Sequence, residues 1–203
     1  NRINDIIISS VVPSLTKNYI DICFDTLSIA PFIIKYNNIP QLQLDVDYPH
    51  QVGTDRICNA IAAQYLYEGP SIIIDLGTAI KYDVVDMNGK LIGGAIAPGI
   101  KNSSQFLFNS TELLKNINLK FPEKAIGKDT NACLQSGIMY NTVDAIDGMI
   151  DRILNEMQWN EYNIILTGGL CSIIENNINH KHILDIHHTL KGIQLIHTLI
   201  NID

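Results

Sequence analysis

The chain is poor in residues that staple a fold, cross a membrane or grip nucleic acid. It has four cysteines in 203 residues: Cys23, Cys58, Cys133 and Cys171. They lie far apart and form no CxxC pair, so a zinc or thioredoxin-type site has no support. The expected state is four reduced, mostly buried thiols in a cytoplasmic protein. No stretch approaches the roughly 18 uninterrupted apolar residues of a membrane span, so no membrane partner is expected. Basic runs are missing too: 14 Lys and Arg stand against 21 Asp and Glu, a net charge of −7. Without clustered cations nucleic acid is not an expected partner. No secretory pattern marks the amino end, Asn1-Arg2-Ile3-Asn4-Asp5. It also lacks an initiator Met and opens almost directly into a strand, so the true beginning is expected upstream of Asn1. No GxGxxG follows a strand, which argues against a Rossmann strand order.

What is present is core. Hydrophobic residues make up 46% and charged residues 17%, which rules out disorder as a global description. At about 150 residues per domain, the length implies one to two domains. Ile6 to Ile8 reads as a short strand buried on both faces, stopped by Pro13. Ser14 is a plausible N-cap for a helix from Leu15 to Leu27. Pro31 to Ile34 is a short strand, and 37–53 is loop. Thr54 would cap a helix through Leu66, broken by Gly69-Pro70. Ile72 to Ile74, Ile80 to Val85 and Leu91 to Ile96 then form three strands, with Asn88-Gly89 as a hairpin turn. Helices are expected from Ile100 to Asn116 and from Thr130 to Met157. A strand from Tyr162 to Leu166 runs into Thr167-Gly168-Gly169, and the tail mixes a strand with a last helix. The sum is a mixed α/β fold with a hairpin meander.

Several positions carry chemistry. Asp75, two residues before Gly77 and three before Thr78, ends a buried strand, where an unpaired carboxylate is costly. A cation on the carboxylate, with phosphate oxygens on the turn N–H groups and the Thr78 hydroxyl, would explain it. An ordinary Asx-type turn closing a hairpin explains the same spacing. Gly53-Thr54-Asp55-Arg56 opens a helix. Asp55 there could accept a proton from a hydroxyl nucleophile while Arg56 holds an anionic group; a dipole-favoured Asp beside a surface Arg is the plainer alternative. Gly93-Gly94, Pro98-Gly99 and Thr167-Gly168-Gly169 allow close backbone approach to a ligand or form plain turns. The histidines of the tail, from His180 to His197, have no zinc spacing and read as solvated. Trp159 reads as a core contact beyond a helix end.

Together these segments resemble the type III pantothenate kinases, of the superfamily of acetate kinase, sugar kinases and actin. The resemblance runs through Ser9-Ser10-Val11-Val12-Pro13, then Pro49, Val52 to Arg56 and Asn59-Ala60, then Ile74 to Ala79 and Asp83. It continues through Gly89, Gly93-Gly94, Pro98-Gly99, Ile126 to Thr130, Gln135 to Ile138 and Thr167 to Gly169. It implies an actin-like ATPase (ribonuclease H-like) α/β fold. Two similar mixed-sheet domains are expected, 1–68 as the remainder of a truncated first domain and 69–203 as the second. It implies phosphoryl transfer from ATP to pantothenate, giving 4'-phosphopantothenate, the first step to coenzyme A. Gly53, Thr54, Asp55 and Arg56 would bind pantothenate, with Asp55 as proton acceptor and Thr130 as a further contact near a homodimer interface. Gly77 and Thr78 would meet the ATP phosphates, magnesium would accompany ATP, and Asp75 would hold a potassium or ammonium ion.

The chain departs from the family in three places, one of them Val46, which stands where the family has an aromatic substrate contact, with Tyr48 nearby as a substitute. No Asp-x-Gly-Asn-Thr phosphate loop precedes Ile6, and Ile80-Lys81-Tyr82 stands where the family usually has Thr-Thr-Phe. A truncated or non-catalytic relative acting as a binding or accessory protein is therefore the alternative. A sugar kinase of the same superfamily is a third reading.

Overall fold

The computed structural model describes residues 3–109 and 119–201. The chain divides into two compact units. The first holds Asn1–Gly69, Asp83–Gly93 and His187–Asp203, and the second holds Pro70–Tyr82 and Gly94–Ile186. The units are discontinuous in sequence, where the expected domains are single stretches. The tip of a hairpin and the last helix belong with the first unit.

In the first unit, strand β1 (Ile7–Ile8) pairs in parallel with β2 (Phe32–Ile33). β1 is only half-buried, not covered on both faces as its isoleucine run suggests. Helix α1 (Pro13–Leu27) starts two residues earlier than a Ser14 cap would allow. Proline is the first helical residue, where its missing N–H costs nothing. Ser28, with φ 54°, ends the helix, and its N–H donates to the Phe24 carbonyl. Helix α2 (Thr54–Leu66) is capped by Gly53, so Thr54 is its first helical residue rather than its cap. The α2 stretch Ile57 to Ala63 is buried without interruption. Ile57, Cys58 and Ile61 join Ile34, Ile39 and Ile196 in one apolar core. Ile196 comes from the final helix, α6 (His188–Ile200), whose Gly192 lies so close to the Cys58 backbone that a β-carbon would clash. His188 is fully buried there, its ring Nε2 3.0 Å from the Asn59 carbonyl. It is a structural histidine, against the expectation of a wholly solvated tail.

The sheet runs in the order β5-β4-β3-β6-β7. Its strands are β3 (Ser71–Leu76), β4 (Ala79–Val85), β5 (Leu91–Pro98), β6 (Asn163–Thr167) and β7 (Ile183–Leu184). Two residues join β3 to its neighbour β4, a link only antiparallel strands accept. β3–β6 and β6–β7 are parallel, so the sheet is mixed. It is the meander expected from the sequence, extended by parallel strands. β3 is central and wholly buried. Side chains alternate along a strand. Ile72, Ile74 and Leu76 of β3, Ile80 and Tyr82 of β4, and Ile164 and Leu166 of β6 meet Met139, Val143, Ile146 and Ile150 in the second unit's core. Those four come from α4 (Thr130–Met157), whose bounds match the sequence reading. Asp129 caps α4 by accepting from the Ala132 N–H at 2.9 Å. Gln158, with φ 53°, ends it, and Trp159 packs against the core as expected. Helix α3 spans Ile100–Asn109; the expected continuation over 110–116 lies outside the described residues. A short helix α5 (Cys171–Ile174) follows β6.

Candidate functional site

The sequence-predicted residues fall in both units. Gly53, Thr54, Asp55 and Arg56 belong to the first; Asp75, Gly77, Thr78 and Thr130 belong to the second.

In the first unit the site is the opening turn of α2. A β-carbon on Gly53 would lie 2.6 Å from Asp55 Oδ1 and 3.4 Å from the Val11 side chain, so the Asp55 carboxylate would have to shift to admit one. The Ser9–Pro13 segment therefore runs directly past the helix start. Ser9 also donates a hydrogen bond to Thr54 Oγ1 at 3.0 Å. Asp55 is half-buried, and its Oδ1 accepts the Arg56 N–H at 2.9 Å. An anion in the first helical turn suits the dipole and the free N–H groups there. Its charge also acts on Cys58: burial pushes that thiol up to about 12, and Asp55 adds to the rise. Cys58 is thus a protonated packing group, not a nucleophile.

Arg56 is held from two sides. Its Nε donates to Asp83 Oδ1 at 2.5 Å and its Nη2 to the Gly93 carbonyl at 3.2 Å. The Asp83 side chain is fully buried and that of Arg56 is 16% exposed. Such a pair is costly to desolvate and fixes geometry once made. A planar guanidinium held at two atoms keeps its remaining N–H groups in a set direction. The sequence reading included Asp83 without a role. The available signal was one acid within the buried apolar stretch Tyr82-Asp83-Val84-Val85.

In the second unit the site lies where β3 and β4 turn. Asp75 is 7% exposed. Its partner is a cation, as the burial cost requires, and that cation is Lys81, with Nζ 2.7 Å from Asp75 Oδ2. Alternation explains the meeting. Ile80 and Tyr82 point into the core that Ile74 and Leu76 enter, so Asp75 and Lys81 share the other face. Asp75 Oδ1 faces the turn after β6. A β-carbon on Gly168, whose φ is +90°, would lie 2.6 Å from that oxygen. Thr167 is the register partner of Asp75 on β6. Its buried hydroxyl has no hydrogen-bond partner among the described residues.

The turn itself is only partly available to a ligand. The Gly77 N–H is donated to the Ala79 carbonyl at 3.0 Å. The Thr78 carbonyl accepts from the Gly99 N–H at 3.2 Å and from Asn102 Nδ2 at 2.9 Å. These bonds brace the loop from behind, and the Thr78 side chain stays exposed. Thr130, also exposed, edges a cavity of about 680 Å³ with Ile80, Tyr82, Pro98, Cys133 and Ile138. Cys133 is exposed there and Cys23 is intermediate, so the thiols are less uniformly buried than expected. Among the described residues no group of three or more His, Cys, Asp or Glu could hold a metal ion. No described helix is long and apolar enough to cross a membrane.

A family model described as type III pantothenate kinase matches residues 1–152. The chain is similar to the type III pantothenate kinase of Agathobacter rectalis, 36% identical over 96% of this chain and 75% of that one. The Brevibacillus brevis enzyme is 37% identical over 97% and 76%. That of Persephonella marina is 38% identical over 97% and 76%. Among solved structures, a Baf family protein from Campylobacter jejuni superposes with a TM-score of 0.64 at 21% identity, over 98% of this chain and 84% of that one. At that identity the likeness speaks for the fold alone, and the mixed α/β class holds.

Proposed function

We infer that this chain, which belongs to the type III pantothenate kinase family, transfers the terminal phosphoryl group of ATP to the primary hydroxyl of pantothenate. The product is 4'-phosphopantothenate, on the way to coenzyme A. In this reading 1–68 belongs to a first actin-like domain and 69–203 supplies the second, with the hairpin tip and the last helix returning to the first. Gly53 to Arg56 receive pantothenate and Thr130 adds a contact. Gly77 and Thr78 receive the nucleotide, Thr78 through its exposed hydroxyl.

One observation carries the reading of the acceptor segment. Arg56 is locked by Asp83 and Gly93 immediately beside a half-buried carboxylate. A fixed guanidinium suits the carboxylate of a vitamin such as pantothenate. Asp55 then takes the proton of the hydroxyl as its oxygen attacks the terminal phosphorus. The bond from that phosphorus to the bridging oxygen breaks, and ADP leaves with the electron pair. Phosphoryl transfer needs position and charge neutralisation more than covalent help, which suits a site of one base and fixed cations. Magnesium on the nucleotide would offset phosphate charge. A potassium or ammonium ion at Asp75, also implied by the family resemblance, does not fit the carboxylate oxygen that Lys81 already occupies.

A homodimer and a cytoplasmic location complete the proposal. The dimer rests on the resemblance around Thr130, and the location on the four free thiols. The test is a coupled assay of the natural full chain with ATP and pantothenate. Turnover of pantothenate, lost in Asp55→Asn without loss of melting temperature, is the expected result. A variant that kept most of its turnover would remove Asp55 as the base. Sedimentation at micromolar concentration tests the dimer.

A further inference from the structure

We propose that Lys81 is a built-in monovalent cation, replacing the potassium or ammonium ion at Asp75, so that this kinase works without either. The inference rests on the kinase reading for its activity readout and on geometry for the rest. The Lys81 ammonium sits 2.7 Å from Asp75 Oδ2, with the two side chains 15% and 10% exposed. It carries the same single charge as the ion and reaches the carboxylate from the adjacent strand. Alternation forces it there: with Ile80 and Tyr82 in the core, residue 81 must share the face of Asp75.

The surroundings still have the form of an ion site. Asp75 Oδ1 lies against the Gly168 turn, and the Thr167 hydroxyl, buried and without a hydrogen-bond partner among the described residues, comes from the strand position paired with Asp75. These are oxygens of the kind an alkali cation uses. A lysine is confined to its stem and cannot be lost to dilution, whereas an ion must be held against solvent. Removing the lysine should therefore reopen the site to an ion.

The experiment compares wild type with Lys81→Ala in the natural full chain. Each is assayed in potassium, ammonium and sodium chloride at equal ionic strength, and each is melted in the same salts with ATP and magnesium present. Wild type should turn over within twofold in all three salts and show no potassium-specific shift in melting temperature. Lys81→Ala should lose at least tenfold in sodium, recover in potassium or ammonium, and melt higher in those two salts. Lys81→Met, of similar length but uncharged, should lose activity in sodium as well. Stimulation of wild type more than threefold by potassium would overturn the proposal, and so would full activity of Lys81→Ala in sodium. If Lys81→Ala does not fold, the wild-type salt series and Lys81→Met decide. If wild type does not phosphorylate pantothenate in any salt, the kinase reading fails on its own. The potassium-dependent melting of Lys81→Ala against wild type then still decides the cation reading.

Discussion

Arg56–Asp83 in the first unit and Lys81–Asp75 in the second are built from the same charges and differ in how the cation is held. Arg56 is gripped at two atoms, by a buried carboxylate and a backbone carbonyl. Its direction is set before any ligand arrives. Lys81 is a point charge on a flexible stem, bound to a carboxylate at a strand end. The first arrangement serves direction and the second serves charge, which matches the difference between guanidinium and ammonium. A carboxyl-bearing substrate benefits from a fixed fork, and a nucleotide's phosphates benefit from nearby positive charge.

The contrast can be broken most sharply at Asp55. A single positioned base contributes about 10²–10⁴ in rate. Asp55→Asn should lose turnover on that scale with an unchanged melting temperature, since its neighbour Arg56 stays gripped. Initial-rate kinetics and thermal melting together check this. Next in size is Asp83→Ala, which strands a largely buried guanidinium and should cost about 3–5 kcal/mol in urea unfolding. A loss under about 1 kcal/mol would show that Arg56 relaxes to solvent and is not held.

Gly168→Ala tests the second unit. At φ +90° a side chain is strained, and the β-carbon would press on Asp75 Oδ1. A cost of about 1–3 kcal/mol is expected, with weaker ATP binding by calorimetry because the carboxylate must shift. Unchanged stability and affinity would mean that the turn yields freely.

A separate effect, absent at neutral pH, is alkaline. Burial pushes Cys58 in the first unit and Tyr82 in the second each up to about 12. Each folded group keeps its proton where the unfolded chain has released it. Their contribution is therefore complete below the ordinary values of 9.0 and 10.0 and lost as pH rises toward 12. Urea midpoints should fall across that window, and Cys58→Ala should flatten the first part of the fall.

Much of the fold was legible because its signals are local. Apolar spacing over Thr130 to Met157 located α4, and Asn88-Gly89 located the hairpin turn. Errors came at helix starts and in burial. Pro13 and Gly53, not Ser14 and Thr54, set the first turns, since fixed φ and an absent β-carbon outweighed a hydroxyl cap there. Spacing does not give the burial of His188 or the exposure of Cys133, because burial depends on what packs over a residue.

The candidate site divides in the same way. Residue types and their order were enough to single out positions 53–56, 75, 77 and 78, and the family resemblance added position 130 and the phosphoryl-transfer family. Only the folded chain decided who partners whom. Asp83 meets Arg56 across 27 positions of sequence, and Gly168 reaches Asp75 from the turn after a strand, more than 90 residues away in the chain. Asp75 and Lys81 are close in sequence, yet their pairing depends on which face of the sheet is core. Local chemistry is written residue by residue. Charge pairing at a distance is set by packing, because an ion pair forms only where burial removes the water that would otherwise separate it.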